Sequence, residues 1–303
     1  MKIVVTGASG LLGREICRVL REQRHQVVGL GFNRAGQGLI KVDLTDTSEI
    51  VNFLVAERPD LVIHAAAERR PEVCKYNPKA AEALNVHSTG WLAELSNQFK
   101  FKLLFISSDY VFDGSSAPYD VDALPNPLNL YGRNKIEAEK MVLGHKGIVL
   151  RVPVLYGPTQ NLAEGSITTI AQDLLDGKFK QDDWAVRYPT LTTDVALVIG
   201  ELLGRHYAKL KGIYHWSGDE AFTKYEMAKI IAGVLDIEES EIKPKQPGEK
   251  ALPRPKDCHL DKTRIHNLAI EHQSQFKQQI REIIEATLAE EEVEEEEQPQ
   301  SQY

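Results

Sequence analysis

The amino-acid sequence predicts an α/β protein: a doubly wound parallel sheet with a smaller C-terminal lobe. Three observations predict it. Short apolar runs alternate with helical patterns through the first half of the chain, a glycine-rich turn joins the first run to the first helix, and the alternation loosens after Pro153. Alternating strands and helices imply a parallel sheet covered on both faces, and right-handed crossovers make it doubly wound. In order, Lys2–Thr6 reads as a buried strand, Leu11–Gln23 as a helix, Gln26–Gly31 and Asp60–His64 as strands. Pro78 suits a first helical turn and opens a helix running to about Phe99. Lys102–Ser107 and Gly147–Val152 read as strands on either side of a helix over Tyr131–Leu143. Beyond Pro153, Ser166–Asp176, Asp194–Lys209 and Thr223–Leu235 look helical, and Gly212–Trp216 looks like a strand. Thr223 and Glu226 have capping-box spacing.

The chain divides into a sheet domain over 1–153, a smaller lobe over 154–288 that exchanges chain with it, and an acidic tail over 289–303. The tail, mostly Glu, Gln, Ser and Pro, is expected to lack order because it has too little apolar surface to bury. Of the net charge of −8, seven units come from Glu290–Glu292 and Glu294–Glu297, so the body is nearly neutral. No basic cluster points to nucleic acid. Cys17, Cys74 and Cys258 are far apart with no CxxC spacing, which argues against a disulfide framework or a metal site and fits a reducing compartment. The apolar start Met1–Val5 is too short for a signal peptide, and no run of about 18 apolar residues would span a membrane. A cytoplasmic location is the expectation.

The turn Thr6-Gly7-Ala8-Ser9-Gly10-Leu11-Leu12-Gly13 follows a strand and opens a helix. Gly7 permits the tight turn, Gly10 lets backbone amides approach a pyrophosphate, and Gly13 lets the helix pack closely on the sheet. A pyrophosphate would then meet the helix N-terminus, whose amides and dipole favour anions. This makes 1–153 a Rossmann-like dinucleotide-binding domain. Readers of NAD place a carboxylate about 20 residues on, at the end of the second strand. Here that stretch is Gly31-Phe32-Asn33-Arg34: it offers no carboxylate, and Arg34 suits a 2′-phosphate, so NADP is the expected cofactor. Asp43-Leu44 follows where an adenine edge would lie.

Ser107-Ser108 ends a strand, and Tyr131 and Lys135 sit four residues apart on one helix face. An ammonium there is expected to lower the tyrosine pKa, so that Tyr131 can trade a proton with a carbonyl while the nicotinamide trades a hydride and Ser108 holds the oxygen. Two uses of Ser108, Tyr131 and Lys135 stay open on the residues alone: redox catalysis, or holding a cofactor in a protein whose task is not catalysis. His64 is read as a packed, hydrogen-bonded histidine, Trp91 and Trp216 as packing residues, and Trp184 as a candidate border of a ligand site. For Arg70 a phosphate contact and a surface salt bridge are both open.

Across nearly its whole length the chain resembles the extended short-chain dehydrogenase/reductases. Ser107–Gly114, Pro127–Gly132, Arg254-Pro255 and Leu260-Asp261 resemble the dTDP-4-dehydrorhamnose reductase branch. His64-Ala65-Ala66-Ala67-Glu68-Arg69-Arg70-Pro71-Glu72-Val73 departs from the reductases, where a tyrosine and a threonine follow the alanines. That stretch, with Gly31–Ala35, His215–Gly218 and Thr223–Met227, resembles the regulatory beta subunits of methionine adenosyltransferase. The resemblance implies a non-catalytic, NADP-binding partner of the catalytic subunit that makes S-adenosylmethionine, within one-carbon metabolism. It further implies that Ser9, Gly10, Leu11 and Leu12 take the phosphates, Phe32, Asn33 and Arg34 the adenosine end, and Asp43 and Leu44 the adenine. Ala65 and Arg69 would line the cleft, Tyr131 and Lys135 the nicotinamide ribose, and Leu155 the nicotinamide side. The alternative is a working NADPH-dependent reductase of a dTDP-deoxysugar, with a nucleotide-sugar ligand. The family's C-terminal end takes part in docking to the catalytic subunit; here it departs, being rich in glutamate.

Overall fold

A computed structural model describes the chain except for Ala35, Gln37, Glu249, Lys250 and residues 298–303. Its strands are β1 (Lys2–Thr6), β2 (Gln26–Gly31), β3 (Ile40–Lys41), β4 (Leu61–His64), β5 (Lys102–Ser108), β6 (Ile148–Val152), β7 (Leu155–Tyr156), β8 (Lys180–Asp182), β9 (Thr190–Leu191), β10 (Gly212–His215) and β11 (Lys243–Lys245). The first six and β10 form one seven-stranded sheet of order β10-β6-β5-β4-β1-β2-β3, every pairing parallel. The chain runs outward from β1 to β3 and then returns to β4 on the other side of β1. The crevice at that reversal, beyond the C-terminal strand ends, is where such sheets take ligands.

The sheet is buried on both faces, as its apolar strands require. On one face, Leu12, Ile16 and Leu20 of helix α1 (Leu11–Glu22) pack with Ile3, Val5, Ile63 and Leu104. On the other, Ile50 and Leu54 of α2 (Thr47–Glu57) pack with Val4, Val62, Leu103 and Phe105. Asp46 caps α2 by accepting from the Ser48 and Glu49 amides at 2.8 and 3.3 Å, a start signal the sequence reading passed over.

The helix expected from Pro78 to Phe99 carries a defect. After the short α3 (Pro71–Tyr76) and α4 (Pro78–Glu82), the chain takes a π-helical turn over Ala83–His87 and resumes as α5 (Ser88–Phe99). Helix α6 (Leu130–Gly144) follows, its Ala138 and Val142 completing the second face.

Later elements cross between the lobes. Helix α7 (Thr168–Leu175) stays in the smaller lobe, but α8 (Thr192–His206) lies on the sheet, where Val195, Val198, Ile199 and Leu202 join the α1 core. Strand β10, expected among the second-lobe elements, closes the edge of the main sheet beside β6. The smaller lobe has its own core, in which α7, α9 (Lys224–Ala232) and α11 (Phe276–Glu297) enclose Tyr156, Leu162 and Leu191. The short α10 (Thr263–His266) lies between. On α11, Phe276, Ile280, Ile283, Ile284 and Thr287 are buried at helical spacing.

This helix corrects the expected start of a structureless tail at 289, because it continues to Glu297. Its first three turns are anchored in the core, and glutamate is a good helix former, so the acidic run extends an existing helix without having to nucleate one. The rest of the tail lies outside the described residues. No helix among the described residues is long and apolar enough to cross a membrane.

Candidate functional site

The glycine turn is shaped by what its neighbours exclude. Gly7 has φ +67°, and a Cβ there would lie 2.8 Å from the Ala66 backbone; one on Gly13 would lie 2.1 Å from the Gly7 carbonyl oxygen. Gly10 is the N-cap of α1 in extended conformation, and no side chain caps the helix. Among the described residues, its first-turn amides therefore have no side-chain acceptor, an arrangement suited to a phosphate.

A cleft of about 800 Å³ opens from this turn across the C-terminal strand ends to the smaller lobe. The residues that the sequence assigned to cofactor binding or catalysis line it: Gly7, Ser9, Gly10, Leu11, Leu12, Gly13, Phe32, Asn33, Arg34, Asp43, Leu44, Ala65, Arg69, Ser108, Tyr131, Lys135 and Leu155. Trp184 does not line it, although Asp182 and Ala185 do. At the outer end the Phe32 ring is half exposed with the Lys41 ammonium 5.5 Å from its centre, and Asp43 accepts from the Thr45 amide and hydroxyl.

At the inner end, Ser108 Oγ donates to Asp109 Oδ1 at 2.9 Å and accepts from the Tyr110 amide. Asn129 caps α6 through the Gly132 amide at 3.1 Å, which fixes the turn carrying Tyr131 and Lys135. Lys135 Nζ donates to the Ile106 carbonyl at 2.8 Å and lies 4.5 Å from the Phe105 ring centre and 5.8 Å from that of Tyr131. Burial pulls the Lys135 ammonium down to about 8.

The expected acidification of Tyr131 is not found. Burial pushes its phenol well above the usual tyrosine range, and the hydrogen bond with Ser108 offsets only part of this. The ammonium spends a hydrogen bond on a backbone carbonyl, and withdrawal from water costs the phenolate more than its neighbours return. Burial also raises the Asp109 carboxyl to about 6, against the pull of Arg187.

His64 lies under the cleft floor, 0% exposed, with its ring nitrogens 2.7 Å from Thr6 Oγ1 and 3.0 Å from Thr89 Oγ1. Burial, then the Lys135 charge, lowers it to about 3, so the ring is neutral. Arg70 folds back onto Glu68 at 2.8 Å, the salt-bridge alternative.

Several residues at this site escaped the sequence reading. Asn85, inside the π-helical turn, accepts from the Glu68 amide at 2.8 Å and donates to the Glu68 carbonyl at 3.0 Å, pinning the loop that carries Arg69 and Arg70. A π-turn re-aims side chains in this way and often marks functional sites. Arg187, Lys224 and Arg254 bring cations from the smaller lobe to the inner end; the last two stand in stretches that carry the resemblance, but no role at the site was read for them. Glu164 reaches over the glycine turn from the opposite wall and binds Arg14 through two hydrogen bonds of 2.7 Å and Arg34 at 2.9 Å. The position of Arg14 directly after Gly13 was a visible signal; nothing local to Glu164 was.

The model of the RmlD substrate binding domain matches residues 1–289. Over 288 residues the chain is 38% identical to methionine adenosyltransferase 2 subunit beta of Bos taurus, covering 93% of this chain and 86% of that one. It is 32% identical to the probable low-salt glycan biosynthesis reductase Agl14 of Haloferax volcanii, covering 78% and 80%. Among solved structures, a hypothetical dTDP-4-dehydrorhamnose reductase from Sulfolobus tokodaii superposes with a TM-score of 0.81 at 28% identity, covering 92% of this chain and 98% of that one. The uncapped glycine turn, the parallel sheet and these likenesses agree: the chain belongs to the RmlD substrate-binding-domain family, and within it to the methionine adenosyltransferase 2 subunit beta group.

Proposed function

We propose that this protein is a regulatory, NADP-binding subunit of methionine adenosyltransferase that acts in the cytoplasm on S-adenosylmethionine synthesis. The observation that carries the reading is the likeness to beta subunits over 93% of the chain. The cleft fits the cofactor on its own evidence. The first turn of α1 offers amides that no side chain caps, and a Cβ on Gly7 or Gly13 would close the turn. The glycine turn takes the pyrophosphate, Arg34 the 2′-phosphate, and Phe32, Asn33, Asp43 and Leu44 the adenosine end. Ala65, Arg69 and Leu155 line the middle, and Tyr131 and Lys135 hold the nicotinamide ribose. Bound NADP would present its nicotinamide near Ser108. A phenol held neutral by burial donates a hydrogen bond to a ribose oxygen well, and Lys135, tied to the Ile106 carbonyl, fixes the helix face from which it does so.

A second reading, NADPH-dependent reduction of a nucleotide-sugar ketone, is favoured by the intact Ser108, Tyr131 and Lys135 set and by the likeness to the Haloferax protein. In that reaction Tyr131 would give its proton to the carbonyl oxygen that Ser108 holds.

A paired assay separates the two. Mixing the protein with a methionine adenosyltransferase catalytic subunit should give a stable complex with altered S-adenosylmethionine synthesis, and no NADPH should be consumed with a dTDP-4-keto-deoxysugar. NADPH turnover without complex formation would overturn the regulatory reading.

A further inference from the structure

The strap Pro158–Gly165 crosses from the smaller lobe to the outer end of the cleft, and it is held at both sides. Behind it, Thr159 Oγ1 lies 3.0 Å from Thr287 Oγ1, and the Leu162 amide donates to Glu291 at 3.3 Å, so α11 fixes its position. In front, Glu164 is its point of attachment. The side chain is only 8% exposed. Arg14 grips it with both terminal nitrogens at 2.7 Å, and the same guanidinium donates to the Ser9 and Pro158 carbonyls. The Gln160 amide donates to Oε2 at 3.1 Å, and Arg69 donates to the Glu164 carbonyl at 2.5 Å. Burial pulls the carboxyl upward, but the bonds from Arg14, Gln160 and Arg34 win and hold it at about 2, so it is an anion throughout the physiological range.

The contact with Arg34 differs from the rest. It is a single hydrogen bond from Nη1 at 2.9 Å, and the Arg34 side chain is 54% exposed. A half-solvated ion pair of this kind is weak and exchanges readily. The carboxylate thus sits where a second anion would otherwise meet Arg34.

We propose that Glu164 is a latch that sets the discrimination between NADP and NAD: its carboxylate occupies Arg34, and a 2′-phosphate must take Arg34 from it. The inference rests on the NADP reading above. NAD carries no group at that position and leaves the pair intact. NADP breaks one weak contact and brings a second anion close to a carboxylate that Arg14 and the strap keep in place. Glu164 therefore holds the NADP affinity below what Arg34 alone would give, without changing the contacts available to NAD.

The test is titration calorimetry of NADP and NAD with the wild-type protein, Glu164→Gln and Glu164→Asp, each checked for its fold by circular dichroism. Glu164→Gln should bind NADP about fivefold more tightly, with NAD changing less than twofold, and Glu164→Asp should fall between it and the wild type. If the amide disturbs the fold, the aspartate decides. Weaker or unchanged NADP binding, or an equal gain for both cofactors, would overturn the latch. Failure of the wild type to bind NADP at all would instead overturn the cofactor reading and the latch with it.

Discussion

At the outer end of the cleft the polar groups are backbone amides and partly solvated arginines; at the inner end they are side chains withdrawn from water. Arg34 is 54% exposed and makes one contact with Glu164, whereas Tyr131, Lys135 and Asp109 are buried and their ordinary acidities are displaced by that burial. In the cofactor site proposed above, this difference would divide the labour of recognition. The outer end would read charge, since its ion pairs can be exchanged at low cost. The inner end would read shape and hydrogen bonding, because moving a charge there costs far more than rearranging one in water. A tyrosine kept neutral and a lysine committed to a carbonyl form a cradle more readily than an activated acid.

The harshest way to break this comparison is to remove the geometry both ends share. Gly13→Val would drive side-chain carbon into the Gly7 carbonyl, so it should cost about 3 kcal/mol in urea unfolding and abolish cofactor binding. A variant that binds normally would show that the tight turn is dispensable.

The buried floor has a pH signature. His64 is held to about 3 when folded, below its ordinary value near 6.5 in the unfolded chain. Between these values the unfolded state binds the extra proton, so stability is full above about pH 6.5 and is lost as pH falls toward 3. From pH 7 to pH 5 the loss from this residue should be about 2 kcal/mol. Urea melts at the two pH values should show it, with a smaller difference in His64→Gln; an equal difference in the variant would remove His64 from the explanation.

At the outer end, Arg34→Ala should weaken NADP about tenfold while NAD changes little, since one charge-assisted contact to a partly solvated group is lost. Equal losses for both would place Arg34 away from the 2′-phosphate. The smallest effect is expected of Tyr131→Phe: about 1 kcal/mol, or roughly fivefold, from either cofactor, with complex formation intact in a pull-down with the catalytic subunit. If instead the wild type turns over NADPH and this variant does not, the inner end is a catalytic site and the comparison must be redrawn.

Much of the site was legible because its signals are local. Gly7, Gly10 and Gly13 fall at spacings a helix start requires, and Tyr131 and Lys135 share a face because a helix repeats every 3.6 residues. The same locality hid other parts. Glu164 stands 150 residues from Arg14 and 130 from Arg34, and no pattern along the chain links them. Asn85 acts on Glu68 only because a π-helical turn rotates it there, and helical periodicity gives no warning of such a turn. The likeness of the Glu68–Arg70 stretch to beta subunits was visible, but the residues alone left Arg70 open between a phosphate contact and a salt bridge, and only the folded loop pairs it with Glu68.

What the sequence determined by itself was the class of fold, the glycine turn, the absence of a carboxylate at the end of β2 and the Ser108, Tyr131 and Lys135 set, all of which follow from spacing and residue chemistry. Only the tertiary structure decided that β10 and α8 return to the main sheet, that α11 carries helix through the glutamates to Glu297, and that Tyr131 is held neutral. The physical reason is common to all three: each depends on which distant surfaces exclude water from a residue, and burial is a property of the packed chain.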